Sequence, residues 1–405
     1  MSYRILSLDG GGTWALIQVK VLMDLYGANA SGRQVLADFD LVAANSGGSI
    51  VAAALIEDYS LQRVLALFKD ASSRNRIFAK LPWYHHLNPI TWFIPSPRFS
   101  TVGKLKGLAE VFPTHGGTSM DQLQIHGRSG EDIKIMFMAY DYNRDRAKYL
   151  RSWKSRAGSA LTDPTYLSVV EATHASSTAP IEYFDQPAEV VGVKPSLKLW
   201  DGGLTGYNNP VLAAVVEALA DQHPADSIVA LSLGTGTAML PLQGDSSDPR
   251  LIKPASTGGI TADLKKVSTT ILADPPDIDT FLAHVMLGQP LPTPEECPSG
   301  RSSIIRMNPL IQPAGQGTPV SPWEAPEGLT IEEFDRLVKL DLAATADDDL
   351  DLIERFCVEW MRADTVPGTP KTRPVRNQPI RASRDFQCEI GFSTYAAAKA
   401  AWQLL

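Results

Sequence analysis

Four times in its first 240 residues the chain runs a short apolar stretch into a turn of very small residues. The turns are Asp9-Gly10-Gly11-Gly12, Ala44-Asn45-Ser46-Gly47-Gly48, Asp201-Gly202-Gly203 and Gly234-Thr235-Gly236-Thr237. Helix-like segments follow the first three, so the order strand, small-residue turn, helix leaves few architectures open. It predicts an α/β fold whose ligand crevice lies at the carboxyl ends of the strands.

The expected strands are Arg4–Leu8, Phe39–Ala43, Ile133–Tyr140, Ala147–Trp153, Leu197–Trp200 and Ile228–Leu233. The pair Ile133–Tyr140 and Ala147–Trp153 flanks Asp141-Tyr142-Asn143-Arg144-Asp145, a turn by composition. Helices are predicted over Trp14–Tyr26, Ser49–Asp58, Leu61–Ala71, Tyr166–His174 and Pro210–Leu219. The stretch Phe78–Phe99 carries two tryptophans and four prolines, which exclude a long regular element and leave a lid or a packed aromatic loop. Residues 1–240 thus read as one catalytic domain. Residues 241–405 read as a mostly helical extension packed on it, with helices expected at Ala262–Leu272, Ile278–Leu287, Ile331–Leu342, Asp348–Ala363 and Thr394–Leu404.

Composition narrows the function. With 37 basic against 45 acidic residues, a net charge of −8, the chain has no sequence-wide basic footprint, and no nucleic acid is expected as partner. Cys297, Cys357 and Cys388 show no paired spacing, so three reduced thiols are expected, with neither a disulfide framework nor a cysteine zinc site. The pair His85-His86 lacks neighbouring ligand types, and no metal or organic cofactor is expected. No apolar run approaches the ~18–20 residues of a membrane span, and no export signal opens the chain. A soluble, cytoplasmic protein is expected, any membrane contact being peripheral; its oligomeric state is left open.

Three features carry chemistry. A serine at a sharp strand-to-helix turn needs small neighbours, and Ala44, Gly47 and Gly48 supply them around Ser46, the candidate nucleophile. Gly10, Gly11 and Gly12 leave backbone amides open before a helix, a candidate oxyanion hole. Asp201 ends another strand and is the candidate base, provided burial or a polarised hydrogen bond lifts it above the usual ~4.

In this order, and closed by Ser232-Leu233-Gly234-Thr235-Gly236, the motifs resemble the patatin-like phospholipase family over about residues 3–237. The run Glu171–Pro180 resembles that family's small-residue stretch before a strand. The resemblance implies a three-layer α/β/α hydrolase core. It also implies a Ser46–Asp201 dyad, an oxyanion hole of Gly10, Gly11 and Gly12, and hydrolysis of phospholipids or other acyl-ester lipids. Two departures stand out: Ala44 replaces the first glycine of the serine elbow, and Trp14-Ala15 stand where the glycine loop usually carries arginine and glycine. A lipase without an export signal needs control over when it meets a bilayer. The extension is therefore a candidate regulatory element, with cyclic nucleotides among the small molecules to try.

Three alternatives stay open. A Ser-His-Asp triad would use His223 or His284, which follow Asp201 in the chain. An actin-like sugar kinase would use Leu8-Asp9-Gly10-Gly11-Gly12-Thr13 as a phosphate loop with Asp9 serving a metal. A degenerate binding module would use none of these groups.

Overall fold

A computed structural model describes residues 2–81, 96–153, 167–190, 196–239, 275–297, 299–314, 323–362, 371–381 and 389–405. The predictions for residues 82–95, including His85-His86, and for the helix at 262–272 lie outside these residues.

Eight strands form one sheet: β1 (Tyr3–Leu8), β2 (Leu41–Ala44), β3 (Lys134–Asp141), β4 (Arg146–Arg151), β5 (Ala188–Val190), β6 (Leu197–Asp201), β7 (Ile228–Leu233) and β9 (Ile304–Met307). The short pair β8 (Thr237–Ala238) and β10 (Leu310–Ile311) lies beside it. The order is β5-β6-β3-β2-β1-β7-β9, with β4 paired to β3. The central strands are parallel, whereas β4 and β6 run antiparallel to β3.

Both faces are covered, and the side chains alternate accordingly. Leu6, Leu8, Val42, Ile135, Leu231 and Leu233 pack on one face with the helices Leu16–Tyr26, Ser46–Ile56 and Asp347–Met361. Ile5, Leu41, Ala43, Met136 and Ala230 pack on the other with Val211–Ala220 and Pro275–Met286. The three-layer α/β/α reading is the fold observed.

Two findings depart from the sequence reading. Among the described residues beyond 240, the helices Pro275–Met286, Ile331–Lys339, Asp347–Met361 and Tyr395–Gln403 are joined by β9, which pairs in parallel with β7 through Ala230↔Ile304 to Leu233↔Met307. Four residues, Ile304-Ile305-Arg306-Met307, give too short a run to stand out as a strand. Cys297 is disulfide-bonded, which corrects the expectation of three thiols; Cys357 is free and buried, and Cys388 lies outside the described residues. The cause is a contact remote in sequence. Ser299 runs beside 389–391, its N–H donating to the Glu389 carbonyl at 3.0 Å and the Gly391 N–H donating to its carbonyl at 2.7 Å.

Candidate active site

The register of β3 brings Ser46 and Asp201 together. Strand β4 holds one edge of β3 from Met136 to Asp141, so β2 and β6, which overlap that span, share the opposite edge. There they run toward each other. Ala44, the last residue of β2, pairs with Phe137, and Asp201, the last of β6, pairs with Ala139. Two antiparallel strand ends thus meet two residues apart on one neighbour, about 7 Å at ~3.3 Å per residue.

At that junction the chain turns sharply. Ser46 opens the helix Ser46–Ile56 with φ of +48°, a left-handed conformation that costs a non-glycine residue roughly 1–3 kcal/mol. Its amide donates to Ser176 Oγ at 3.2 Å. Gly47 must be glycine, since a Cβ there would meet the Gly12 carbonyl oxygen at 2.4 Å. Ala44 lies within β2, and positive φ in this turn falls on Ser46 instead, so the extra methyl imposes no strain.

Ser46 lies close enough to Asp201 for its hydroxyl to help hold the carboxyl down, and both residues line one cavity. Asp201 Oδ1 also accepts from Asn45 Nδ2 at 3.1 Å and the Gly203 amide at 2.9 Å, and Asp201 N–H donates to the Thr178 carbonyl at 2.8 Å. Burial pushes the Asp201 carboxyl above its ordinary range; these hydrogen bonds and the Lys104 ammonium hold it back.

The glycine loop divides. Gly10 N–H is committed to the Asn208 carbonyl at 2.8 Å, and Gly10 is absent from the cavity wall. Of the three glycines named from the sequence, Gly10 thus has its amide already engaged. Among the described residues the amides of Gly11 and Gly12 have no acceptor, and both residues line the cavity that holds Ser46, Asp201 and Lys104. Gly12 takes φ of +56°, and its backbone abuts Leu342 O. That carbonyl accepts from Thr13 N–H at 3.0 Å and Thr13 Oγ1 at 3.1 Å, while Trp14 Nε1 donates to Asp341 O at 3.1 Å. The unusual Trp14 therefore binds a strap from the last quarter of the chain, and Leu342 and Ala343 of that strap wall the cavity.

Asp9, first residue of the loop, is buried and clamped by Arg306 of β9, with Nη1 to Oδ1 at 3.0 Å and Nη2 to Oδ2 at 2.6 Å. Burial pushes it up to about 6, against the pull of Arg306. So held, it is not presented to a metal or a phosphate, as the kinase reading requires. Neither triad histidine lines the cavity. His223 stacks on Tyr3 with centroids 3.9 Å apart, and buried His284 is 3.0 Å from Ser302 Oγ.

The patatin-like phospholipase model matches residues 6–215, more than half of the chain. The chain belongs to the patatin-like phospholipase family. It is 27% identical over 248 residues to the cGAMP-activated phospholipase of Pseudomonas aeruginosa, covering 61% of this chain and 66% of that protein. It is 26% identical over 260 residues to the probable inactive patatin-like protein 9 of Arabidopsis thaliana, covering 58% and 61%. The match thus spans less than two thirds of either relative. Among solved structures VipD from Legionella pneumophila aligns with a TM-score of 0.33 and 10% identity over 88% of this chain and 67% of that one.

Sequence reasoning missed Asn45 as a partner of Asp201, Arg306 as the clamp on Asp9, Lys104 in the cavity wall and the strap at Leu342. Asn45 had a signal, since it precedes the serine in its turn; the other three lie in segments with no motif.

Proposed function

We propose that this patatin-like chain hydrolyses acyl esters of lipids, phospholipids foremost, with Ser46 as nucleophile, Asp201 as base and the Gly11 and Gly12 amides as oxyanion donors. The observation that carries this is that Ser46, held at positive φ, and the buried Asp201 carboxylate line one cavity together with Gly11 and Gly12, whose amides have no acceptor among the described residues. The Ser46 proton passes to Asp201 as Oγ attacks the carbonyl carbon, and the carbonyl electron pair moves to the oxygen facing the amides. Asp201 then returns the proton to the leaving alkoxide. Water, deprotonated by Asp201, releases the fatty acid and restores Ser46. Gly10, tied to Asn208, holds the loop in place.

Phospholipid as substrate draws support from the family and from the bacterial relative's name; the same name makes cyclic dinucleotides the first activators to try. No helix among the described residues is long and apolar enough to cross a membrane, so contact with lipid would be made at the surface. The test is covalent labelling by a fluorophosphonate probe together with release of fatty acid from phosphatidylglycerol and phosphatidylethanolamine vesicles. Labelling lost in Ser46→Ala, and release lost in Asp201→Asn, are expected. A wild-type protein that neither labels nor hydrolyses, with or without cyclic dinucleotides, belongs with the inactive relatives.

A further inference from the structure

Asn45 turns its side chain away from the task that its place in the chain suggests. It is the N-cap of the helix Ser46–Ile56, in extended backbone, where an asparagine oxygen ordinarily accepts from an amide of the first turn. Here the side chain makes no such bond, and Asn45 Oδ1 is buried without a hydrogen-bond partner among the described residues. The nitrogen is the end in use. Asn45 Nδ2 donates to Asp201 Oδ1 at 3.1 Å and to Asn208 Oδ1 at 3.4 Å. Two acceptors on that side decide which end of the amide faces the carboxylate. Gly202 makes room for it, since a Cβ there would meet Asn45 Oδ1 at 2.7 Å. The backbone is fixed as well: Asn45 N–H donates to the Leu8 carbonyl at 3.1 Å, and its carbonyl accepts from Ser49 N–H at 3.2 Å. Forgoing the cap and burying an unpaired oxygen both lower stability. Packing alone does not account for that arrangement; the bond to Asp201 does.

We propose that Asn45 is a positioning residue for the acyl transfer: with the Gly203 amide it ties down Oδ1 of Asp201, and so leaves Oδ2 as the oxygen that takes the Ser46 proton. The inference rests on the Ser46–Asp201 reading. Gly203 N–H donates to the same Oδ1 at 2.9 Å, so both amide donors fall on one oxygen. A carboxyl group turns readily about its last bond, because that torsion is broad and roughly two-fold. Two donors on Oδ1 remove that freedom. One of them comes from the residue beside the nucleophile, so a single turn sets both Ser46 and the orientation of its base. A proton arriving on Oδ2 leaves both Oδ1 bonds in place, since the neutral carboxyl keeps an accepting oxygen there. A proton on Oδ1 would displace a donor. The titratable groups on the neighbouring elements have other partners. Lys104, on the helix Thr101–Val111, bonds Thr178 Oγ1 at 3.2 Å and the His174 carbonyl at 3.4 Å, and burial pushes it well below its ordinary range. Burial and Lys104 do the same to His174, on the helix Val169–Ser176. On β3, Asp141 is engaged by Arg144 at 2.9 Å.

The experiment measures kcat and KM on p-nitrophenyl butyrate across pH, with urea unfolding in parallel, for wild type, Asn45→Ala, Asn45→Leu and Asn45→Asp. Asn45→Leu keeps the volume and removes the donor, whereas Asn45→Asp keeps the shape and sets an acceptor in the donor's place. Asn45→Leu and Asn45→Ala should each lower kcat on the alkaline plateau about 100-fold, with KM little changed. Their acidic limb should move up by roughly one pH unit, because the carboxylate loses a donor that favours its anion. Asn45→Asp should move the limb furthest, since two like charges then face each other. The urea midpoint of Asn45→Ala should stay close to that of wild type, because no cap is lost. A wild-type kcat with an unmoved limb in Asn45→Leu and Asn45→Ala overturns the inference. So does a loss of activity that follows a fall in the urea midpoint, which would make Asn45 a packing residue, or a defect confined to KM. Should wild type show no Ser46-dependent hydrolysis at all, the reading beneath falls first, a result distinct from an unmoved limb in an active enzyme.

Discussion

The chain carries two aspartates of the same local design, each ending a strand of one sheet and each followed by glycines: Asp9-Gly10-Gly11-Gly12 and Asp201-Gly202-Gly203. Both are buried, yet their partners differ. Arg306 occupies both oxygens of Asp9, whereas Asp201 accepts from two amide donors, Asn45 Nδ2 and Gly203 N–H, and shares a cavity wall with Ser46. A carboxylate closed by a bidentate guanidinium is neutralised in place and serves the architecture. One held by neutral donors remains able to accept a proton. What the motif allows is local; which role an aspartate takes is decided by residues far away in the chain.

The contrast predicts opposite phenotypes. Ser46→Ala and Asp201→Asn should each lower ester hydrolysis by about 10⁴-fold or more, with urea unfolding close to wild type. If Asp9→Asn cost as much activity while leaving stability untouched, the division of roles would be wrong. Arg306→Met should instead destabilise the protein by about 3–5 kcal/mol, because it leaves the Asp9 carboxylate buried and alone. Much of that should return in Asp9→Asn combined with Arg306→Met, and a double-mutant cycle in urea would read the coupling.

Gly47→Ala comes next. Its methyl would press on Gly12 O, which should displace the loop and cost roughly 1–3 kcal/mol together with activity. Full activity in that variant would show that Gly12 does not hold the oxyanion.

The smallest effect concerns Asp279, whose Oδ2 is buried without a hydrogen-bond partner among the described residues. Burial and, less strongly, Asp9 push it from 3.8 up to about 8, against Arg306. The folded chain thus keeps a proton that the unfolded chain releases, and stability from this group falls as pH rises from 3.8 to about 8. Asp279→Asn should gain on wild type across that window in thermal unfolding; a constant difference would assign the burial cost elsewhere.

Much of the site was legible because its turns are local. Ser46 could be found from Ala44, Gly47 and Gly48 beside it, and Asp201 from its two glycines, since small residues are what a tight strand-to-helix turn requires. The fold class followed from the same alternation. Lys104 could not be read, because a lysine in an amphipathic helix has the pattern of a solvated one until the helix is docked. Arg306 sits in four residues with no turn signal, and the Gly10–Asn208 bond depends on how two loops meet. The disulfide at Cys297 belongs with them, since cysteine spacing does not reveal segments that run side by side from opposite ends of a region.

The clamp on Asp9 also bears on how the chain is made. Arg306 follows Asp9 by 297 residues, well past residue 215 where the family match ends. At 5–20 residues per second a ribosome needs roughly 15–60 s to deliver that arginine after the aspartate. Throughout that interval Asp9 lacks its counterion and β7 lacks its edge neighbour β9. Stalled or truncated chains ending before Ile304 should therefore stay open to proteases and yield no labelled serine.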